Sequence, residues 1–534
     1  MKKLSFIILA SFALLNYCFA QPCLTEGIVF STQEEIDDFP VSFPNCTEIE
    51  GDVTISGVDI NDLTPLSAIT QIRGNLIIYN NNSLEVMTGL NNISHVNGNV
   101  HIGYFDIGSG TGGGNPLLTN LEGLNSIQSI GGELELFANP FLESFEGLDE
   151  LDSIGIMCDI CCNESITSLV GFEDLDFIGG WLTLDHNNNL MNLQGLDNLT
   201  VVQVGLSISS NEKLESLDGI ESLTSTGIGG IFINDNPILE DIDGLKNING
   251  NIGSIDIEYN DSLSVISCFN NVDTIASLMI EVNKSLESIT GFNDVSSITE
   301  SLVIYTNGKL KTVSGFSSLE NIGGNLMIFG NSTLPDLSGL EKVSSVGGNL
   351  DITENNMLTT LGSLSNLNKV YGRLLLTGNN QLENLHGLDS LNTSLIEQII
   401  IKNNSSLSLC SVKSVCDYLE QVSSEIEIFN NYEGCNTIEE VEDACAASNV
   451  ANNFSGMKIN IYPNPTCDYI FVSGNGNFTD YQISVYNQFG QNVIDNAAIN
   501  ESINISSLSE GLYIVEVLAK SWSERVRFIK RCTD

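Results

Sequence analysis

The stretch Ile322-Gly323-Gly324-Asn325-Leu326-Met327-Ile328-Phe329-Gly330-Asn331 returns 24 residues later as Val346-Gly347-Gly348-Asn349-Leu350-Asp351-Ile352-Thr353-Glu354-Asn355. Extending the comparison gives one unit, I-x-G-x-L-x-I-x-x-N-x-x-L-x-x-L-x-G-L-x-x-L-x-x, copied through most of the chain. Its asparagine recurs as Asn81, Asn139, Asn163, Asn187, Asn211, Asn236, Asn260, Asn283, Asn307, Asn331, Asn355, Asn379, Asn404 and Asn431. The steps are 23 to 25 residues except the first and the last. Self-similarity at such a period marks a solenoid, in which each copy is one coil that cannot bury its apolar edge alone.

The L-x-I alternation puts Leu326 and Ile328, or Leu350 and Ile352, on one face of a short strand. Those faces must share a core, and coils then stack as parallel strands about 4.8 Å apart. About fifteen coils would make a rod roughly 70 Å long. A second leucine set, including Leu217, Leu337, Leu361 and Leu385, is expected to line the opposite wall. The asparagines leave the strand at the corner, where stacked amides would form a ladder that satisfies buried backbone groups. The Gly-Gly or Gly-Asn pair before each strand supplies the tight corner. After Ile102 the period grows by ten residues, with Phe105 in the asparagine's place and a flexible insertion expected at Gly108 to Gly114.

The G-x-L-x-I-x-x-N spacing resembles the leucine-rich-repeat superfamily, and within it the receptor L-domain branch. The resemblance implies a right-handed, mainly β parallel solenoid. It says little about a ligand, because one architecture serves many partners.

The ends of the chain carry other signals. Met1 and two lysines precede an apolar run from Leu4 to Leu15, and Ala20 offers a small residue before Gln21, so residues 1–20 read as a signal peptide. No later segment reaches 18 uninterrupted apolar residues, so no membrane span is expected. Export fits the cysteines, which gather at the ends of the repeat array. Residues 21–50 read as an N-terminal cap holding Cys23 and Cys46, residues 51–405 as the repeats, and residues 406–445 as a C-terminal cap. That second cap holds Cys410, Cys416, Cys435 and Cys445, for which three connectivities are open; Cys410 with Cys435 and Cys416 with Cys445 is the pairing favoured. Thr437-Ile438-Glu439-Glu440 is a capping box expected to open a short helix ending near Cys445, and residues 446–456 read as a linker.

Residues 457–534 alternate strictly between turn signals, as a small antiparallel β-sandwich does. Their landmarks are Tyr462-Pro463-Asn464-Pro465, Val485-Tyr486-Asn487 before Gly490, Leu508 to Tyr513, and a closing Phe528-Ile529-Lys530. That order of motifs resembles the C-terminal sorting domain of the type IX secretion system of Bacteroidetes. The resemblance implies partnership with that machinery and with a sortase-like peptidase that removes the tail. It places the mature protein outside the cell or on its outer surface. Cys467 and Cys532 are an addition to the pattern and could staple the sandwich.

Chemistry is sparse. A formal charge of -49, from 68 acidic and 19 basic residues, argues against nucleic acid, which needs a basic patch. His95, His101, His186 and His386 show no metal-ligand spacing, so neither a metal nor another cofactor is expected. The C-x-x-C of Cys158 and Cys161 is disqualified by the repeat, which puts the two on opposite faces of a strand; Cys158, Cys161, Cys162 and Cys268 are expected to be unpaired. Asp256, Glu258 and Glu281 fall on neighbouring coils without basic partners, and read as a solvated acidic face more readily than as the carboxylates of a polysaccharide-active enzyme. Met279, Val303, Tyr305, Met327 and Phe329 are outward positions on three consecutive coils, with Trp181 and Tyr79 as possible extensions. Such a stripe suits recognition of a protein or glycan. The expectation is a non-catalytic binding or adhesion protein; a structural spacer without a ligand is the alternative, and an enzyme comes third.

Overall fold

In the computed structural model, the described residues run from 22 to 532, apart from 107–110, 422–424, 455–458, 475–480, 498–501 and 520–521. The proposed signal peptide and the insertion tip at 108–110 lie outside them. The repeats form a right-sized parallel stack, in which each strand pairs in register with the equivalent strand of the next coil. Leu326 stands opposite Leu350, Met327 opposite Asp351, and Ile328 opposite Ile352. Among the described residues, seventeen strands make up this main sheet, from Ile28–Phe30 to Ile426–Phe429. Residues 51–405 hold fifteen of these strands, and two further rungs lie one in each cap, Ile28–Phe30 paired with Val53–Ile55 and Ile426–Phe429 paired with Gln398–Lys402.

Each coil buries the same positions. In one coil Leu326, Ile328, Leu334, Leu337, Leu340, Val343 and Val346 are all inaccessible to solvent, and the next buries Leu350, Ile352, Leu358, Leu361, Leu364, Leu367 and Val370. A second ladder of two-residue strands, such as Asn321–Ile322 beside Ser345–Val346, runs along the flank before the main strands. Where phenylalanine replaces a leucine on successive coils the rings stack, Phe269 on Phe292 and Phe292 on Phe316, each pair 5.3 Å apart. The glycine of the Leu-x-Gly-Leu segment is required twice over. Gly195 has φ +110°, and a Cβ there would stand 2.1 Å from the Leu169 carbonyl oxygen of the preceding coil.

The asparagines form a continuous buried ladder. The Asn307 backbone N–H donates to Asn331 Oδ1 at 3.0 Å, its Nδ2 donates to the Ile280 carbonyl at 2.9 Å, and its own Oδ1 accepts from the Asn283 N–H. Just before each ladder asparagine other than Asn115 the chain turns left-handed, even at Val282 (φ 52°) and Thr306 (φ 54°), which disfavour that conformation. Phe105 does not occupy a ladder position, as the sequence suggested. Asn115 does, because the insertion leaves the coil after Gly103 and returns at Gly113, closing as a short hairpin of Phe105–Asp106 against Thr111–Gly112. Asn81 donates to Asn115, which donates to Asn139.

Both ends of the array are covered. Cys23–Cys46 closes the first cap, with Phe30 and Phe39 packed edge to face beneath it. Cys410–Cys435 and Cys416–Cys445 close the second, and Asn431 ends the ladder by donating to the Cys435 carbonyl. The helix opened by Thr437 does not stop near Cys445. It runs from Ile438 to Phe454, through most of the segment expected to be a linker, because nothing in 446–454 breaks a helix and Ala446 and Ala447 favour one.

The tail is a sandwich of two antiparallel sheets, one of three strands and one of four, around Ile470, Val472, Ile483, Val485, Val515, Val517 and Phe528. Its signature residues hold its last strand in place. Asn464 accepts from the Ile529 N–H and buried Lys530 donates to the Ile505 and Ser506 carbonyls, while outside the signature Cys467 is bonded to Cys532. 

The ladder makes a quantitative prediction. Asn307→Ala leaves the buried Asn283 N–H and Ile280 carbonyl unpaired, at about 1–3 kcal/mol each. Chemical denaturation should show a loss of about 2–5 kcal/mol, whereas exposed Asn356→Ala should stay within about 0.5 kcal/mol. Equal effects of the two substitutions would count against the ladder.

Candidate binding face

The outward residues of the main sheet form two straight columns, since parallel in-register pairing sets equivalent positions side by side. One column runs Ile77, His101, Glu135, Asp159, Thr183, Ser207, Phe232, Asp256, Met279, Val303, Met327, Asp351. The other includes Phe137, Cys161, Asp185, Ser209, Asn234, Glu258, Glu281, Tyr305, Phe329 and Thr353.

The register brings five of the expected stripe residues together. Met279, Val303 and Met327 are consecutive in the first column, and Tyr305 and Phe329 are consecutive in the second. The two rings lie nearly parallel, 4.7 Å apart at 10°, the spacing of the strands that carry them. All five side chains are half-buried, because each covers its neighbour. Trp181 is not part of this group. It sits four strands earlier, its ring laid over Gly205, where a Cβ would meet ring carbon Cζ3 at 2.5 Å, and its centroid is 5.9 Å from Phe232. The absence of a side chain at Gly205 lets the indole fold down along the sheet instead of joining the stripe. Tyr79 lies near the opposite end, beside Tyr104 at 5.9 Å.

Between Trp181 and the stripe stands the acidic group. Burial, a proton-sharing contact with Glu258 and the charges of Glu258 and Glu281 push the Asp256 carboxyl up to about 7. Glu281 is raised as well, by burial first and then by Glu258. Unrelieved like charges stacked on adjacent strands have this effect. Farther toward the N-terminus Asp159 is also pushed up to about 7, by burial and then by Glu135, Asp185 and Glu133.

Two hollows indent the N-terminal half of the face. One, of about 510 Å³, lies among Thr54, Ile77, Tyr79, His101, Tyr104 and Glu135. The other, of about 630 Å³, adjoins it between Glu135, Met157, Asp159, Thr183 and Asp185. Sequence spacing did not group these residues. His101 and Glu135 are direct register partners, but the hairpin insertion separates them by 34 residues where 24 is the rule. Correcting the period for that insertion would have aligned them.

The cysteines of this region need one correction. Cys158 is buried and Cys161 faces outward from the same strand, so the C-x-x-C is no dithiol, but Cys161 is bonded to Cys162. The strand ends at Cys161, and Cys162 takes the left-handed corner before Asn163, which sets the two sulfurs side by side. Strand alternation alone could not anticipate a bond across a corner. Cys158 and Cys268 remain free and buried, and burial raises both thiols well above their ordinary range. Neither is a ready nucleophile.

Residues 45–104 match the Receptor L domain family, and residues 460–531 match the Secretion system C-terminal sorting domain. No curated protein shows significant similarity to the chain. The chain therefore joins an L-domain-like solenoid to a type IX sorting tail, which marks it for export. No helix among the described residues is long and apolar enough to cross a membrane.

The raised Asp256 has a pH signature. A carboxyl whose folded pKa exceeds its unfolded value, about 3.9, adds stability that is complete below that value and lost as the pH climbs through about 7. The melting temperature should fall between pH 4 and pH 8, and Asp256→Asn should flatten that fall. An identical slope in the variant would exclude Asp256 as a contributor.

Proposed function

We propose that the chain is an exported, non-catalytic binding protein that engages a protein ligand on its solenoid sheet through Met279, Val303, Tyr305, Met327 and Phe329. The observation that carries this reading is the contiguity of the five side chains across three strands, ending in the Tyr305–Phe329 stack. Strands locked in register on both sides hold these groups in a fixed array, so little side-chain entropy is lost on binding. The two rings already cover each other's inner faces. What they offer outward is largely edges flanked by methionine and valine, which suits a complementary apolar protein surface better than a sugar ring seeking an open aromatic face.

The L-domain match supports a recognition role, and the sorting tail supports delivery to the outer surface. In this reading the tail is used once. The type IX machinery captures the sandwich, a sortase-like peptidase cuts near residue 457, and the solenoid is displayed or released. The disulfide caps suit that destination, since both protect an exposed core end in an oxidising medium.

Tyr305→Ala with Phe329→Ala should reduce binding of cells or purified chain to its surface targets at least tenfold, with the melting temperature shifted by only a few degrees. Unchanged adhesion would favour a spacer role, and loss confined to a glycan array would favour a carbohydrate ligand. Mass spectrometry of the surface form should find no residues beyond about 457. An intact tail on the exported protein would refute the processing step.

A further inference from the structure

We propose that His101, Glu133 and Glu135 form a binding site for one divalent transition-metal ion of the zinc type, at the edge of the Tyr79–Tyr104 cleft. This site is separate from the apolar stripe and does not depend on it. Among the described residues these three form a group whose ligand atoms all lie within 4.8 Å of one another. Glu133 and Glu135 are two apart, so strand alternation puts both on one face, and Glu135 is the register partner of His101 on the neighbouring strand. Backbone geometry thus converges one imidazole and two carboxylates.

The state of the imidazole is a second and independent observation. His101 Nε2 is shielded from solvent, yet it makes no hydrogen bond. It stands 3.5 Å from Glu135 Oε2, too far and too poorly aligned for one. Two ligands each about 2.0–2.1 Å from a tetrahedral ion stand about 3.3 Å apart, so this separation is what a shared ion requires. The second carboxylate is positioned from behind. Asn99 Oδ1 accepts from the Glu133 N–H at 3.0 Å, and Asn99 Nδ2 reaches a Glu133 carboxylate oxygen at 3.5 Å.

The donor set selects among ions. An imidazole nitrogen with carboxylate oxygens suits zinc and its neighbours, whereas calcium takes oxygen ligands alone. Two glutamates neutralise a doubly charged ion, and the surrounding acidity raises its local concentration. With three protein ligands, a fourth position is left on the cleft side for water or an anionic group of a bound partner.

The test uses the full chain after chelator treatment, titrated with Zn²⁺ against a competing indicator dye. One ion per chain should bind, and both Glu135→Gln and His101→Asn should weaken it at least tenfold while circular dichroism stays unchanged. Asn99→Ala, which acts only through Glu133, should cost about 10-fold. Asp256→Asn, in the other acidic group, should have no effect. Substituted Co²⁺ should give the visible absorption of a nitrogen- and oxygen-ligated tetrahedral ion in the parent chain and lose it in His101→Asn. Binding of several ions insensitive to Glu135→Gln, retention of affinity in His101→Asn, or displacement by equimolar Ca²⁺ would each overturn the assignment. Should one variant misfold, the other decides the outcome alone.

Discussion

A buried corner in a polypeptide is costly unless its peptide groups find partners, and here that requirement is met by asparagine. Each ladder side chain accepts from the backbone of the coil before it and donates back to a strand carbonyl there, as Asn307 does with Asn283 and Ile280. Neither an alcohol nor a carboxylate offers an acceptor and an NH2 donor in that geometry. The ladder locks neighbouring coils in register, and register in turn aligns the leucines of the core. Val282 and Thr306 tolerate a left-handed backbone because the amide ladder holds the corner on both sides.

Exact stacking has consequences on the solvent side. Any residue type repeated at one position meets its copy about 4.8 Å away. Repetition of aromatic residues gives the Tyr305–Phe329 stack, and repetition of carboxylates sets Glu258 beside Glu281, whose charges add to burial in raising Asp256. The outer face is therefore a set of local patches, apolar in one stretch and acidic in another. Their boundaries fall wherever the sequence changes letter at two positions per coil.

The two ends of the chain solve different problems. The caps protect a core that would otherwise stop abruptly, with disulfides standing in for the coils that are missing. The sorting tail is built on its own core, and its recognisable letters have structural duties. Asn464 anchors the last strand, and Lys530 is buried against the Ile505 and Ser506 carbonyls. The signature used for export and the contacts that hold the sandwich together thus share residues.

By itself the sequence determined the parallel solenoid, its inward leucines, the asparagine ladder and the sorting tail, because each rests on a local period that repetition makes unmistakable. It also aligned Met279 with Val303 and Met327, since those coils keep a regular step. It failed wherever the period was interrupted or a contact crossed a corner. The role of Asn115, the Cys161–Cys162 bond and the rung at Ile28 inside the first cap all fall there. Only the tertiary structure decided that Trp181 folds over Gly205 and stops beside Phe232, short of the stripe, and that His101 faces Glu135 across a ten-residue insertion. The physical reason is the same in both cases: a side chain's neighbours on a stacked sheet are set by register between coils, and register is conserved through insertions that sequence distance counts as separation.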